Sequence, residues 1–188
     1  MRTKDLCDDG TGVADEMECI CVSVAAEGGR QLVGFPFSIS RETTPLQTNN
    51  DSNIYPLFAI RLKSGFLGAT INLSSYSINC TSTASYNYYL LLNPTVVDTP
   101  LSFTGLTNSA IEFDKTTTSG TTVTGGTILE SGATSQQRES GIEGGRINSR
   151  FSLGSDYNGV SDVLVLAVQR VNGGSETVYG SLNWIEQK

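Results

Sequence analysis

Two strand-like segments joined by a short turn occupy residues 162 to 186, DVLVLAVQRVNGGSETVYGSLNWIE. The first contains Val163 to Val168, the longest apolar run in the chain. A strand that is apolar on both faces needs cover on both, so we predict that it lies centrally in its sheet, beneath a second sheet or another subunit. Asn172-Gly173 and, upstream, Asn158-Gly159 tolerate the positive φ angles of tight turns.

Alternation of apolar and polar residues recurs along the whole chain, whereas helical periodicity is hard to find. About ten strand-like segments follow one another at roughly 8 to 14 residues, with glycine and asparagine at the turns. This pattern predicts an all-β fold, an antiparallel sandwich or barrel, and we favour a β-sandwich or jelly-roll-like domain. We place the sandwich at residues 31–188 and a short N-terminal arm or added strand at residues 1–30.

The segment IYPLFAIRLKSGF, residues 54–66, combines a proline with a strongly apolar strand pattern. Pro56 has no amide proton, so the segment is expected to enter its sheet at an edge or at the first residues of a strand. Alternation then sorts the side chains into two sets, with Leu57, Ala59 and Arg61 on one face and Phe58, Ile60 and Leu62 on the other. We predict that the second set is core and faces the Val163–Val168 strand across the sandwich.

Arg61 is the one charged side chain between Ile54 and Leu62. Its guanidinium is costly to bury without a carboxylate partner. We therefore expect Arg61 either to lie at the rim of a subunit contact or to pair with a nearby acidic side chain.

The overall charge, the hydropathy and the absence of histidine argue against several classes of function. A formal net charge of −7 argues against a nucleic-acid surface, which needs clustered lysine and arginine. No run of about 18 apolar residues occurs, so we expect no membrane insertion. The chain has no histidine, which removes the commonest general base and zinc ligand. We predict a protein that is not an enzyme, with no catalytic residue, cofactor or metal.

Acidic residues offer the alternative of a glycan-degrading enzyme that uses Glu112, Asp114 or Glu130. Glycoside hydrolysis needs two carboxyl groups on opposite sides of a sugar ring. Glu112 and Asp114 stand two residues apart on one strand face, side by side. A solvated strand face explains that pair better.

The four cysteines are Cys7, Cys19, Cys21 and Cys80. Cys19 and Cys21 share a strand face and would form half of a thiolate metal site, but no second cysteine pair or histidine completes it. The amino-terminal residues do not resemble an export signal. We expect reduced thiols in a protein made in a cytoplasm.

A tyrosine cluster at Tyr86, Tyr88 and Tyr89 is a candidate glycan platform. Tyr86 and Tyr88 share a strand face, which would let both rings stack on a sugar. Strand packing is the commoner use of tyrosine in such a pattern.

Several segments together resemble a group of virion structural proteins of tailed bacteriophages. These segments are IYPLFAIRLKS, LLLNPTV, LTNSAIE, VTGGTILESG, LGSDYNGVSDVLVLAVQ and GSLNWIE, in that order. The last carries a tryptophan followed by an acidic residue, Trp184 and Glu186. The resemblance covers residues 31–188 and implies a structural scaffold in a head decoration, a head fibre or a tail-associated protein.

These observations together predict a non-enzymatic virion protein that decorates or stabilises the particle through symmetric subunit contacts. The expected partners are further copies of the chain, with a homotrimer favoured, and other capsid or tail proteins. The predicted location is the virion, after synthesis in the bacterial host cytoplasm. The alternative is a receptor- or carbohydrate-binding module of a tail appendage.

Overall fold

The computed structural model describes residues 34–80, 85–134, 142–143, 152–172 and 174–187. The predicted arm at residues 1–30, together with Cys7, Cys19 and Cys21, lies outside the described residues. Within them the chain forms one short 3-10 turn, Ser64–Phe66, and the following strands: β1 (Phe35–Gln47), β2 (Ile54–Leu62), β3 (Thr70–Cys80), β4 (Ser85–Leu92), β5 (Thr95–Asp98), β6 (Thr104–Gly105), β7 (Ile111–Asp114), β8 (Thr121–Thr124), β9 (Thr127–Thr134), β10 (Ile142–Glu143), β11 (Val163–Asn172) and β12 (Thr177–Gln187).

The strands form two antiparallel sheets. The four-stranded sheet has the order β1-β12-β3-β10. The eight-stranded sheet has the order β5-β8-β2-β11-β4-β9, and β7 pairs with both β2 and β6 beside that path. The predicted all-β antiparallel sandwich is confirmed; its jelly-roll-like connectivity stays a prediction.

The main core lies between the inner faces of the two sheets. Each sheet contributes alternate side chains, as expected for a sandwich whose outer residues are more polar. The largest fully buried side chains of this core are Leu46, Ile71, Ile78 and Trp184 from the four-stranded sheet, and Tyr55, Leu57, Phe58, Ile60, Leu62, Tyr86 and Leu90 from the eight-stranded sheet.

Strand β11 is central, as its sequence predicts, because it pairs with β2 on one side and β4 on the other. Leu164, Leu166 and Val168 point into the main core. Val165 and Ala167 point the other way, into a smaller apolar cluster with Ala59, Leu91 and Val123. Chain segment 96–103 packs over that smaller cluster. One face of β11 is thus covered by the second sheet and the other by a loop of the same chain.

Strand β2 departs from the sequence expectation in two ways. It lies beside β11 in the same sheet, so Phe58, Ile60 and Leu62 do not face Val163–Val168 across the sandwich. The register also shifts, because Phe58 pairs with Leu166 whereas Pro56 pairs with Ala167. Leu57 is the extra residue of this β-bulge, and it points into the main core with Phe58.

Pro56 is the third residue of β2, which confirms the alternative that it lies among the first residues of a strand. The other alternative, a sheet edge, does not hold, because β2 is a central strand. On the side away from β11, β8 pairs only with Ile54 and β7 pairs only with Ala59–Leu62. Pro56 falls in the gap between these two neighbours, where no ladder bond needs its missing amide proton.

Gly173 of the expected Asn172-Gly173 turn lies outside the described residues, and the strands on either side of it belong to different sheets. Strand β11 pairs with β2 and β4, whereas β12 pairs with β1 and β3. Across the core β12 lies against β2, where Gly180 approaches Leu57 and Phe58.

Candidate subunit-contact surface

Arg61 pairs with a nearby acidic side chain, which confirms one of the two alternatives expected for it. Its Nε donates a hydrogen bond to Glu112 Oε1, and the two residues are direct neighbours across β2 and β7. The guanidinium carbon lies 4.1 Å from the centre of the Phe103 ring. The Arg61 side chain is 41% exposed, so it stays partly open to solvent.

Phe103 also forms a wall of a surface groove with a volume of about 470 Å³. The groove opens onto the smaller apolar cluster, so its floor is the outer edge of a packed core. Its apolar walls are Pro94, Val96, Pro100, Leu101, Phe103, Val160 and Val163. We call these residues, with Asn93, Asp98 and Ser161 between them, the apolar groove.

Backbone conformation brings the groove walls together. The chain leaves β4 at Asn93, which has a positive φ of 51°, and reverses again at Asp98, with a φ of 68°. Asparagine and aspartate tolerate this left-handed region better than other side chains. Asn93 also joins the walls, since its Nδ2 donates to Asp162 Oδ1 at 2.8 Å and its Oδ1 accepts from the Val163 amide at 2.8 Å.

Asp114 fixes the loop that carries Leu101 and Phe103. Its carboxylate accepts hydrogen bonds from the Ser102 amide at 2.7 Å and from the Thr116 amide at 2.7 Å. Asp114 is only 3% exposed, so the expected solvated strand face is wrong for this residue. Glu112 and Asp114 act separately, one on Arg61 and the other on the groove loop.

A hydrogen-bonded hairpin tip lies at the edge of the groove, where the sequence predicts a turn. Asp156 Oδ1 accepts from the Asn158 amide at 2.9 Å and the Val160 amide at 2.8 Å. Gly159 has a φ of +79°, the left-handed conformation that glycine tolerates. Tyr157 is 97% exposed and Val160 is 64% exposed. We call residues 155–161 the knob.

The tyrosines of the expected glycan platform are not arranged as one. Tyr86 and Tyr88 share a face, but that face is the main core, and both are buried. Tyr89 lies on the opposite face, and its hydroxyl donates to Gln169 Oε1 at 2.8 Å. Rings that pack in the core cannot stack on a sugar.

Arg41 is a buried charge that sequence reasoning missed. Its guanidinium fills the gap beside Pro56: Nη1 donates to Leu57 O at 3.3 Å, and Nη2 donates to Thr117 O at 2.7 Å. Thr117 Oγ1 in turn donates to Pro56 O at 2.5 Å. Burial lowers the pKa of Arg41 to about 10, and the charge of Asp114 acts in the opposite direction. Arg41 stays protonated at neutral pH and joins the two sheets.

Glu186 is a second buried charge, with no exposed surface. Trp184 Nε1 donates to its Oε1 at 2.8 Å, the Ala110 amide donates to its Oε2 at 2.8 Å, and the Ser109 hydroxyl donates to Oε1 as well. The sequence carries a signal for both missed residues, because Arg41 follows Ile39 and Glu186 follows Trp184 at the inward-facing spacing. Both hold the sandwich together.

The two remaining candidate residues, Glu130 and Cys80, take part in packing and hydrogen bonding within the fold. Glu130 accepts a hydrogen bond from the Tyr76 hydroxyl at 2.8 Å. Burial is the main cause that raises the pKa of Tyr76 above its ordinary range, with the Glu130 contact second. Cys80 is half-buried and packs against the main core.

Among the described residues, no helix has the length and apolar character needed to cross a membrane.

Comparison of the chain with models of protein families, with curated proteins and with solved structures gives no match.

Proposed function

We propose that the chain is a structural protein of a tailed-bacteriophage virion, which decorates or stabilises the particle through symmetric contacts between its own copies. The resemblance of residues 31–188 to such proteins supports a location in the virion. The knob and the apolar groove support the contacts between copies, and they carry the proposal.

The knob and the groove are complementary features of one chain. Tyr157 presents a nearly fully exposed aromatic ring on a hairpin that Asp156 holds in place. The apolar groove beside it offers a pocket of about 470 Å³. Aromatic side chains that enter apolar pockets are the usual energetic centres of protein interfaces. The Tyr157 knob of one copy fits the groove of the next.

Electrostatics favour this surface over others for contact between identical chains. Each copy carries a net charge of −7, so two copies repel each other at long range. Of the residues lining the groove, Asp98 is the ionisable one, and the others are apolar or neutral. Close approach here therefore desolvates little charge, while Arg61 at the rim is already neutralised by Glu112.

The knob borders the groove and shares Val160 and Ser161 with it. A knob that enters the groove of the next copy, whose own knob enters a third, makes a head-to-tail contact. Such a contact closes into a ring when the rotation between copies divides a full turn, and it extends into a filament when it does not. A homotrimer is the favoured closed form. The outer faces of the ring are then left to contact other capsid or tail proteins.

The described acidic side chains support a scaffold more than an enzyme. Glu112 neutralises Arg61, Asp114 holds a loop, and Glu130 accepts from Tyr76. Each carboxylate that the sequence offered for glycan hydrolysis is thus engaged in holding the fold.

Two measurements test the proposal. Native mass spectrometry of the purified full chain should show a closed oligomer, with three copies as the favoured number. Gold-labelled antibodies against the chain should decorate intact virions from a culture that produces it, at symmetric positions. A chain that is monomeric at micromolar concentration and absent from virions contradicts the proposal.

A further inference from the structure

A shallow polar pocket lies on the outer face of the four-stranded sheet, between β1, β12 and β3. Strand β1 pairs with β12 as far as Arg41, opposite Gly180, and pairs again only at Leu46, opposite Val178. Four residues of β1 therefore bulge away opposite the single residue Tyr179. The departure of β1 leaves a depression beside Tyr179, with a volume of about 420 Å³.

The pocket is lined by side chains that can exchange hydrogen bonds in both directions. Three serines lie side by side across the strands, because Ser181 of β12 pairs with Ser40 of β1 and with Ser77 of β3. Two residues further along the sheet, Tyr179 pairs with Asn79. Glu42 forms the wall on the bulged strand. A hydroxyl or an amide can donate and accept, which matches the hydroxyl groups of a sugar.

Two of these groups have unused hydrogen-bonding capacity. Within the described part of the chain, neither the Asn79 amide nor the Tyr179 hydroxyl makes a side-chain hydrogen bond. Val178 is fully buried, so its neighbour Tyr179 is directed outward by the alternation of β12. Asn79 is exposed on β3. An aromatic ring with an amide beside it is a combination that holds the apolar face and the polar edge of a sugar ring.

The charges around the pocket disfavour an anionic ligand. Arg41 lies beneath the pocket, but its Nε donates to Thr44 O at 3.0 Å and its Nη2 donates to Thr117 O, so it is committed to the fold. Glu42 is the remaining charge in the lining, and the chain as a whole is acidic. An anionic group would meet repulsion from both.

We propose that this pocket binds a neutral saccharide, with Tyr179 and Asn79 as its main contacts. The site is separate from the apolar groove and does not depend on contacts between copies. It also uses none of the three tyrosines that the sequence pointed to.

Nuclear magnetic resonance titration of the full isotope-labelled chain tests the proposal. The probes are the neutral trisaccharides maltotriose, cellotriose, mannotriose and chitotriose, with the anionic sialyllactose and trigalacturonate for comparison. We expect at least one neutral probe to shift the signals of Tyr179, Asn79 and Ser181. The anionic probes should leave these signals unchanged.

A matched pair of variants locates the site. Asn79→Ala should weaken binding of that neutral probe about tenfold, because a hydrogen bond to the sugar is lost. Asn72→Ala removes the same side chain from the same outward face of β3 outside the pocket, and should leave binding unchanged. The proposal is overturned when no neutral probe shifts the pocket signals at concentrations up to tens of millimolar. It is equally overturned when the two variants bind alike.

Discussion

Leu57 occupies the space that a side chain at residue 180 would need. A Cβ atom on Gly180 would lie 2.8 Å from Leu57 Cδ2 and 2.6 Å from Ser77 O. Leu57 points there because it is the extra residue of the bulge in β2, which turns it into the main core. The bulge in one sheet and the glycine in the other are therefore two parts of one packing arrangement.

Replacement of Gly180 by alanine should destabilise the chain by about 1–3 kcal/mol, the usual cost of overpacking a core. Urea unfolding measures the change. Gly65→Ala is the control, since a Cβ there would have no neighbour within 4 Å, and it should change stability by less than about 0.5 kcal/mol. Equal stabilities for the two variants would contradict the packing described here.

Glu186→Gln should lower the free energy of unfolding by about 1–3 kcal/mol, because one buried donor loses its acceptor. A carboxylate accepts at both oxygens, from Trp184 Nε1 and from the Ala110 amide, whereas an amide accepts at one. The fluorescence of Trp184, the single tryptophan, follows the unfolding and reports on this contact. Glu42→Gln at an exposed position should be close to neutral.

Tyr86 makes stability depend on pH in the alkaline range. Burial raises its pKa from the ordinary 10.0 to about 12. Between these values the unfolded chain has lost the proton while the folded chain keeps it, so rising pH favours unfolding. The stabilising contribution is complete below pH 10.0 and is lost as the pH rises through about 12.

Tyr86→Phe tests this dependence. At pH 7 the variant should be less stable by about 1 kcal/mol, because the hydrogen bond between the Tyr86 and Thr48 hydroxyls is lost. At pH 11.5 the difference should shrink or reverse, since phenylalanine does not ionise. Urea unfolding of both proteins at both pH values gives the comparison. The same difference at both values would show that Tyr86 does not titrate as described.

Arg61→Ala should separate assembly from folding. A partly exposed ion pair contributes at most about 1 kcal/mol, so the variant should unfold close to the parent. Self-association should weaken, because Arg61 holds the Phe103 wall of the apolar groove at 4.1 Å. Light scattering across a concentration series measures the oligomer. Lys115→Ala, which removes a cation 5.9 Å from the Phe113 ring and outside the groove, should leave the oligomer unchanged.

The features that the sequence predicts correctly depend on local patterns. The run Val163–Val168 is apolar at every position, and such a strand is stable only when it is covered on both faces. The turn at Asn158-Gly159 follows from the conformational freedom of glycine. The pairing of Arg61 with an acid follows from the cost of burying a lone guanidinium.

The features that escape prediction depend on distant parts of the chain. The bulge at Leu57 turns this side chain to the other face of the sheet. The apolar and polar residues on either side of Leu57 still alternate, so the sequence carries no signal of the bulge. Alternation places Tyr86 and Tyr88 on one face, but only the opposing sheet decides that this face is the core. The apolar groove combines residues from 93–103 with the hairpin at 155–161, which are far apart in sequence.

Contact between copies through the knob and the apolar groove requires an oligomer in solution, and sedimentation velocity measures that oligomer. The full chain is compared with Val160→Asp, which places a charge at the groove edge, and with Val171→Asp, which places the same charge at a similarly exposed valine near the far end of β11. The two valines are 64% and 56% exposed, so the substitutions should perturb folding similarly. We predict that the parent and Val171→Asp sediment as the same oligomer, while Val160→Asp sediments as a monomer. A parent that is monomeric throughout, or a Val160→Asp variant that keeps the parental oligomer, would contradict the account.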